Sequence, residues 1–331
     1  MSLPPDNGQF PQEHDFSKVL LFSGSSHPTL AKEIADDLGI TLGKIALGRF
    51  PDGENHVQIL ENVRGRPTFV LQTVALDPNN HLMELMLIID ALRRASASEI
   101  SVIIPYFGYC RQDRKDRPRV PITAKLVANL LVNAGAARVV TMDLHAGQVQ
   151  GFFDIPVDDL HSGAILARAF KSVVTGDFVV VAPDIGSIKL ARDYASYLKC
   201  DFAVVYKQRL DASRIKMSML IGDVNGKDVL LADDMCTTAG TLISAAKACR
   251  EKGANRIFAA VTHGLFVESA LERIDDCPIE LLFVTDTIPI VDSIAKSKKL
   301  QAVSIAPLLS QAIRGIYARE SITSHYIDFI H

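Results

Sequence analysis

The chain carries one pattern of strand, loop, helix and strand twice. Laid over each other, GAARVVTMDLHAG from Gly135 and GANRIFAAVTHGL from Gly253 both begin Gly-Ala, place Arg fourth and His eleventh, and lie 118 residues apart (135 to 253). The same offset carries Thr123 onto Thr241 and runs KLVANLLVNAG onto ISAAKACREKG without a gap. Further upstream, VIIPY at Val102 meets VLLAD at Val229 at an offset of 127 (102 to 229), so the loop of the first copy is nine residues longer. Strand, loop, amphipathic helix, Gly-Ala turn and strand make a parallel β-α-β unit. Two copies predict a duplicated α/β chain of two doubly wound parallel sheets with helices on both faces, divided near residues 158–166.

Residues 229–242, VLLADDMCTTAGTL, are the densest in chemistry. Asp233 and Asp234 sit where a buried strand emerges, and adjacent acids there suit two neighbouring sugar hydroxyls or a shared magnesium ion. Thr237, Thr238, Ala239, Gly240 and Thr241 follow, offering small side chains and free N–H groups at the start of a helix, where the dipole favours an anion. An ordinary connection with Asp and Thr as turn and cap residues spells the same letters.

Other candidates also follow apolar strand-like runs, and ligands of such sheets bind at the carboxyl ends of strands. Arg111 to Arg119 reads RQDRKDRPR. Arg114 to Arg119 is a solvated charge run, whereas Arg111 and Gln112 lie just beyond VIIPY, where a guanidinium clamps phosphate bidentately. Asp143 and His145 follow RVVTM, and strand alternation predicts their side chains on the same side. Asp184 follows FVVVA, and Lys207 and Arg209 follow FAVVY. Asp154 and Asp158 read equally well as caps. Phe50, Asp52 and Glu54, in RFPDGE, read locally as a turn.

Composition excludes several classes. With 331 residues, 48% apolar and 22% charged, the chain supports two soluble globular domains. A net charge of −3 provides no bulk attraction to nucleic acid or anionic membrane. The start, MSLPPDNGQFPQEHDF, lacks signal-peptide character, and no apolar run approaches bilayer length. Five scattered cysteines without a CxxC pair read as reduced thiols of a cytoplasmic protein.

Taken in order, RFPDGE, MELMLIIDALRRASA (Met83 to Ala97), YCRQDRKDRPRVPITAKLVANLL (Tyr109 to Leu131), MDLHAGQVQGFFDIPVDDL (Met142 to Leu160), PDIGS (Pro183 to Ser187) and DDMCTTAGT resemble the ribose-phosphate pyrophosphokinase family. The resemblance spans Val19 to about Ala318. It implies two duplicated doubly wound domains of the type I phosphoribosyltransferase kind, residues 1–160 and 161–331, the second carrying the ribose 5-phosphate loop. It also implies transfer of the β,γ-pyrophosphoryl group of MgATP to the C1 hydroxyl of ribose 5-phosphate.

The implied roles are ribose 5-phosphate binding for Asp233, Asp234 and Thr237 to Thr241, and ATP binding for Phe50, Asp52, Glu54, Arg111, Gln112, Asp113 and His145. Metal binding falls to Asp143, His145 and Asp184, with Mg2+ as cofactor, and catalysis to Lys207, Arg209 and His145. A homohexamer with sites completed across subunits is implied as well. Three departures stand out: Thr237 replaces a usual Asp, Ser187 a usual Gly, and the tail SITSHYIDFIH diverges. A non-catalytic regulatory paralogue and a phosphoribosyltransferase are the competing expectations.

Overall fold

Both Gly-Ala turns of the repeat end helices in backbone that glycine adopts without strain, with φ of 126° at Gly135 and 85° at Gly253. The computed structural model describes residues 15–208, 217–290 and 297–322. In the first copy, β5 (Glu99–Ile104), α3 (Thr123–Ala134) and β6 (Arg138–Met142) follow one another. In the second, β11 (Asp228–Cys236), α6 (Gly240–Glu251) and β12 (Ile257–Gly264) do the same. Helix α3 buries Ala124, Val127, Ala128 and Leu131, the spacing of one helical face.

The first sheet contains β1 (Leu20–Ser23), β4 (Pro67–Leu71), β5, β6 and β7 (Val157–Leu160), in that spatial order and all parallel. The second runs β10 (Met217–Ile221), β9 (Phe202–Gln208), β8 (Phe178–Ala182), β11, β12, β13 (Ile279–Thr285) and β14 (Leu300–Val303). It is parallel apart from the β9–β10 hairpin at its edge. A separate hairpin, β2 (Ile45–Arg49) and β3 (Asn55–Ile59), projects from the first copy.

Alternation along each strand divides the core. Leu20, Phe22, Val70, Val102 and Ile104 face α2 (Pro78–Arg94) and α3. Leu21, Phe69, Leu71 and Ile103 face the other way, into one continuous core shared with Val180, Leu230, Phe258 and Phe283 of the second sheet. That shared layer holds α1 (Pro28–Leu38), α4 (Gly163–Lys171), α5 (Ile188–Leu198) and α8 (Ala306–Ala318), and α1 packs directly on α8. Strands covered on both faces read as unbroken apolar runs. On the outer face of the second sheet, α6 and the short α7 (Ala270–Asp275) close a further core. Among the described residues no helix is long and apolar enough to cross a membrane.

Candidate active site

The carboxyl ends of the two sheets face each other. Asp233 and Asp234 end the buried part of β11, where Asp233 pairs in register with Val261 of β12. Beyond them the chain turns through Thr237 and Thr238 into α6, whose cap residue Ala239 has φ 60°. The carbonyls of this loop are all taken on one side: Cys236 O accepts from Leu265 N (3.0 Å) and Phe266 N (3.1 Å), Thr237 O from Val267 N (3.0 Å), and Thr238 O from Arg273 Nη1 (2.8 Å). Turning the carbonyls toward β12 and α7 leaves the amides of the first helical turn for an anion, with no side-chain cap competing.

A cavity of about 590 Å³ opens over this loop, lined by Thr237 to Thr241, Asp233, Asp234, Asp184, Ser187 and His145 among others. A second of about 540 Å³ is lined by Arg111, Gln112, Asp113, Arg114, Asp116, Arg117 and again His145. His145 therefore lines both. Its Nδ1 lies 2.6 Å from Asp234 Oδ2, joining the first copy to the second. That hydrogen bond holds the imidazole above its ordinary pKa, so it donates Nδ1–H to the carboxylate. Burial pushes Asp234 upward, but the bond from His145 and its charge leave it below the ordinary carboxylate range.

Asp233 behaves oppositely. Burial first, then the neighbouring charges of Asp234 and Asp184, push it up to about 7, although Ser187 Oγ donates to its Oδ1 at 2.7 Å. Six aspartates, Asp143, Asp159, Asp184, Asp193, Asp233 and Asp234, line this cavity against Lys189, His145 and His161, and their hard oxygens suit a hard divalent cation. Among the described residues no three His, Cys, Asp or Glu side chains are grouped to hold a metal alone.

Asp233→Asn is expected to stabilise the protein above about pH 7. An unfolded Asp titrates at about 3.9, so between about pH 4 and pH 7 the folded state retains a proton that the unfolded state has lost, and stability falls as pH rises. The gain should be absent near pH 4 and reach at most roughly 4 kcal/mol above pH 7, because each pH unit of that interval contributes about 1.4 kcal/mol. Urea midpoints at about pH 4, 6 and 8 check it; an equal gain at all three would refute the assignment.

The structure brings together Asp233, Asp234, Thr237 to Thr241, Asp143, Asp184 and His145, with Arg111, Gln112 and Asp113 adjoining. Gln112 bonds Thr123 at the start of α3, and Asp113 bonds Gln148. Ser187, in place of the family's usual glycine, has φ −86° and ψ 2°, ordinary for a residue with a Cβ, and it links Asp233 to Asp184. Phe50, Asp52 and Glu54 line neither cavity. They form the tip of the β2–β3 hairpin, with Phe50 48% exposed and edge-on to His56. Asp158 is paired with Arg138 at 2.6 Å. Lys207 belongs to β9, and Arg209, like most of the divergent tail, lies outside the described residues.

Asp143 and His145 line the same cavity, although β6 ends at Met142 and Asp143 takes φ 41°. The metal role implied for Asp143 meets a carboxylate already engaged by His161, Ser162 and Thr262. Despite burial, these hydrogen bonds hold it below its usual pKa. His263, the counterpart of His145 in the repeat, is buried and bonded to Thr287 Oγ1 and Asp143 O. Arg273 went unread because a lone arginine on a short helix resembles any surface charge.

Two largely parallel sheets, joined at their carboxyl ends over a carboxylate pair and a small-residue loop, define the class of fold. Residues 19–135 match the family model described as the N-terminal domain of ribose phosphate pyrophosphokinase, and residues 211–327 match that of the phosphoribosyl synthetase-associated domain. A ribose-phosphate pyrophosphokinase of Wolinella succinogenes is 48% identical over 307 residues, covering 93% of this chain and 98% of its own. One of Caldanaerobacter subterraneus is 49% identical over 308 residues, covering 93% and 97%. The crystal structure of phosphoribosylpyrophosphate synthetase from Mycobacterium smegmatis superposes with a TM-score of 0.87 at 39% identity, covering 91% of this chain and 99% of that one. The chain belongs to the ribose-phosphate pyrophosphokinase family.

Proposed function

We propose that the chain transfers the β,γ-pyrophosphoryl group of MgATP to the C1 hydroxyl of ribose 5-phosphate, yielding 5-phosphoribosyl 1-pyrophosphate and AMP. One observation carries this reading beside the family membership. His145 lines both cavities, with a phosphate loop and carboxylate pair on one side and an arginine-rich loop on the other. Two anionic substrates whose reacting atoms meet at one imidazole fit that layout.

The loop from Thr237 to Thr241 receives the 5-phosphate on its amides, and Asp233 and Asp234 accept from the ribose hydroxyls. Arg111 grips the triphosphate, with Gln112 and Asp113 beside the nucleotide. The C1 hydroxyl attacks the β-phosphorus in line, the bond from that phosphorus to the AMP oxygen breaks, and AMP leaves with the electron pair. His145, charged through its bond to Asp234, faces the oxygens on which charge builds. Lys207 and Arg209 close over the same atoms and exclude water. When bound, magnesium would neutralise the phosphate oxygens; the Asp184 carboxylate would hold it, and His145 would do so through Nε2 only in its neutral form.

Phe50, Asp52 and Glu54 reach the adenine of a neighbouring subunit's site, which makes a homohexamer the working assembly. Residues 1–160 and 161–331 act as its two phosphoribosyltransferase-like halves. Buried, unpaired thiols at Cys110, Cys236, Cys249 and Cys277 suit the cytoplasm. Neither nucleic acid nor membrane is a partner.

Phosphorus NMR of MgATP with and without ribose 5-phosphate tests the reaction. Sugar-dependent AMP release is expected. ADP as product, or AMP formed equally without the sugar, would overturn the reading, and a folded but silent protein would point to a regulatory paralogue. Arg273→Ala, which frees the Thr238 carbonyl, is expected to raise the KM for ribose 5-phosphate about tenfold, near 1.4 kcal/mol. The KM for ATP should stay within about twofold; a matching rise in both would deny Arg273 its place behind the phosphate loop.

A further inference from the structure

Every polar atom of Asp143 is hydrogen-bonded, and its partners come from both halves of the molecule. Its amide donates to Leu160 O of β7 at 2.9 Å, within the first sheet. Its carboxylate Oδ2 accepts from Ser162 N at 3.1 Å, Ser162 Oγ at 2.6 Å and Thr262 Oγ1 at 2.7 Å, and Oδ1 accepts from His161 Nδ1 at 2.9 Å. Its carbonyl accepts from His263 Nε2 at 3.2 Å. Thr262 and His263 belong to β12, the strand beside the one that carries Asp233 and Asp234.

The far side of this node is equally tied. His263 Nδ1 meets Thr287 Oγ1 at 2.9 Å, its ring stands edge-on to Tyr106 with centroids 4.9 Å apart, and Thr287 O accepts from Thr73 Oγ1 at 2.8 Å. Asp143, Ser162, Thr262 and His263 are all buried. A left-handed backbone at a residue with a Cβ persists only where its surroundings over-determine it, and these bonds do so. A fully satisfied buried carboxylate of this kind specifies one arrangement of the elements it joins.

Two residues after Asp143, His145 spans from the first copy to Asp234 of the second at 2.6 Å. A hydrogen bond between two separate sheets keeps that length only if the strand ends beneath it are fixed. We infer that Asp143 is a positioning residue: it locks the end of β6 onto β12 so that His145 meets Asp234, and it takes no part in holding the metal. This rests on the reading of His145 and Asp234 as site residues.

Asp143→Asn keeps the side-chain volume and replaces one acceptor oxygen with a donor. The expected result is a fall in kcat of about 10- to 100-fold with the half-saturating magnesium concentration and the KM for ATP unchanged within about twofold. In a His145→Ala background the same substitution should change the rate by less than about twofold, because its effect passes through the imidazole. Amide exchange at residues 261–263 should quicken at least about tenfold, a readout independent of activity. Thr262→Val, which removes one donor and leaves the carboxylate, should show a smaller version of each effect. A magnesium requirement raised tenfold or more would make Asp143 a metal ligand, and full additivity with His145→Ala would deny the coupling. Unchanged exchange in a folded Asp143→Asn protein would remove the lock itself. Absence of sugar-dependent AMP release from the wild type would sink the functional reading, while the exchange comparison would still judge the lock.

Discussion

His145→Ala is expected to lower kcat for sugar-dependent AMP release by two to three orders of magnitude, about 3–4 kcal/mol of barrier. The substitution removes the charged donor common to both cavities and leaves Asp234 without the partner that holds it ionised. It also leaves the Asp233–Asp234 pair without its compensating cation, which favours a proton on the pair. Asp234→Asn should fall by a similar factor, and the double variant should lose little beyond either single one, since the two side chains act as a unit. His145→Gln, which restores a donor without the charge, is expected to lie between. Steady-state rates at saturating substrates, taken with melting temperatures to confirm folding, decide the matter. A His145→Ala enzyme within about threefold of wild type would mean that the imidazole is a bystander.

Phe170→Ala should have the largest effect on stability. Phe170 of α4 is fully buried and meets Phe178, Phe258 and Phe283 edge-on, with centroids 5.2, 5.5 and 6.3 Å away. Truncation removes the burial of a whole ring and leaves a cavity in the layer between the sheets, a loss of about 3–5 kcal/mol. The melting temperature should drop by upwards of roughly 6 °C. Phe170→Leu fills most of the space and should lose clearly less. Calorimetry at matched protein concentration checks both, and a change under about 1 kcal/mol would show that the four rings can collapse around the gap. KM values should remain near wild type, because none of these rings lines either cavity.

Much of this molecule could be read along the chain. RVVTM and FVVVA are β6 and β8 residue for residue, and the repeat offset carries Thr123, the first residue of α3, onto Thr241, the second residue of α6. Local rules suffice there, because each segment is an apolar strand or a one-faced helix ended by glycine. The β11 turn was legible for the same reason: adjacent acids, small residues and a helix start are neighbours in sequence as well as in space. The partners of the Asp143 carboxylate gave no signal, because His161, Ser162 and Thr262 lie 18 to 119 positions further along the chain. Arg273 gave no signal because its partner, the Thr238 carbonyl, is 35 residues away and is a backbone atom that any residue could supply.

The sequence by itself determined the duplicated α/β plan, the phosphate loop and the family, since periodicity, turn chemistry and motif order are properties of neighbouring residues. Tertiary structure alone decided that His145 reaches Asp234, that Asp143 turns inward to Thr262, and that α1 packs on α8 in a core shared by both sheets. Each of those contacts joins residues 89 or more positions apart. Such pairs are selected by how two twisted sheets bury their inner faces together, a condition that no local run of residues expresses.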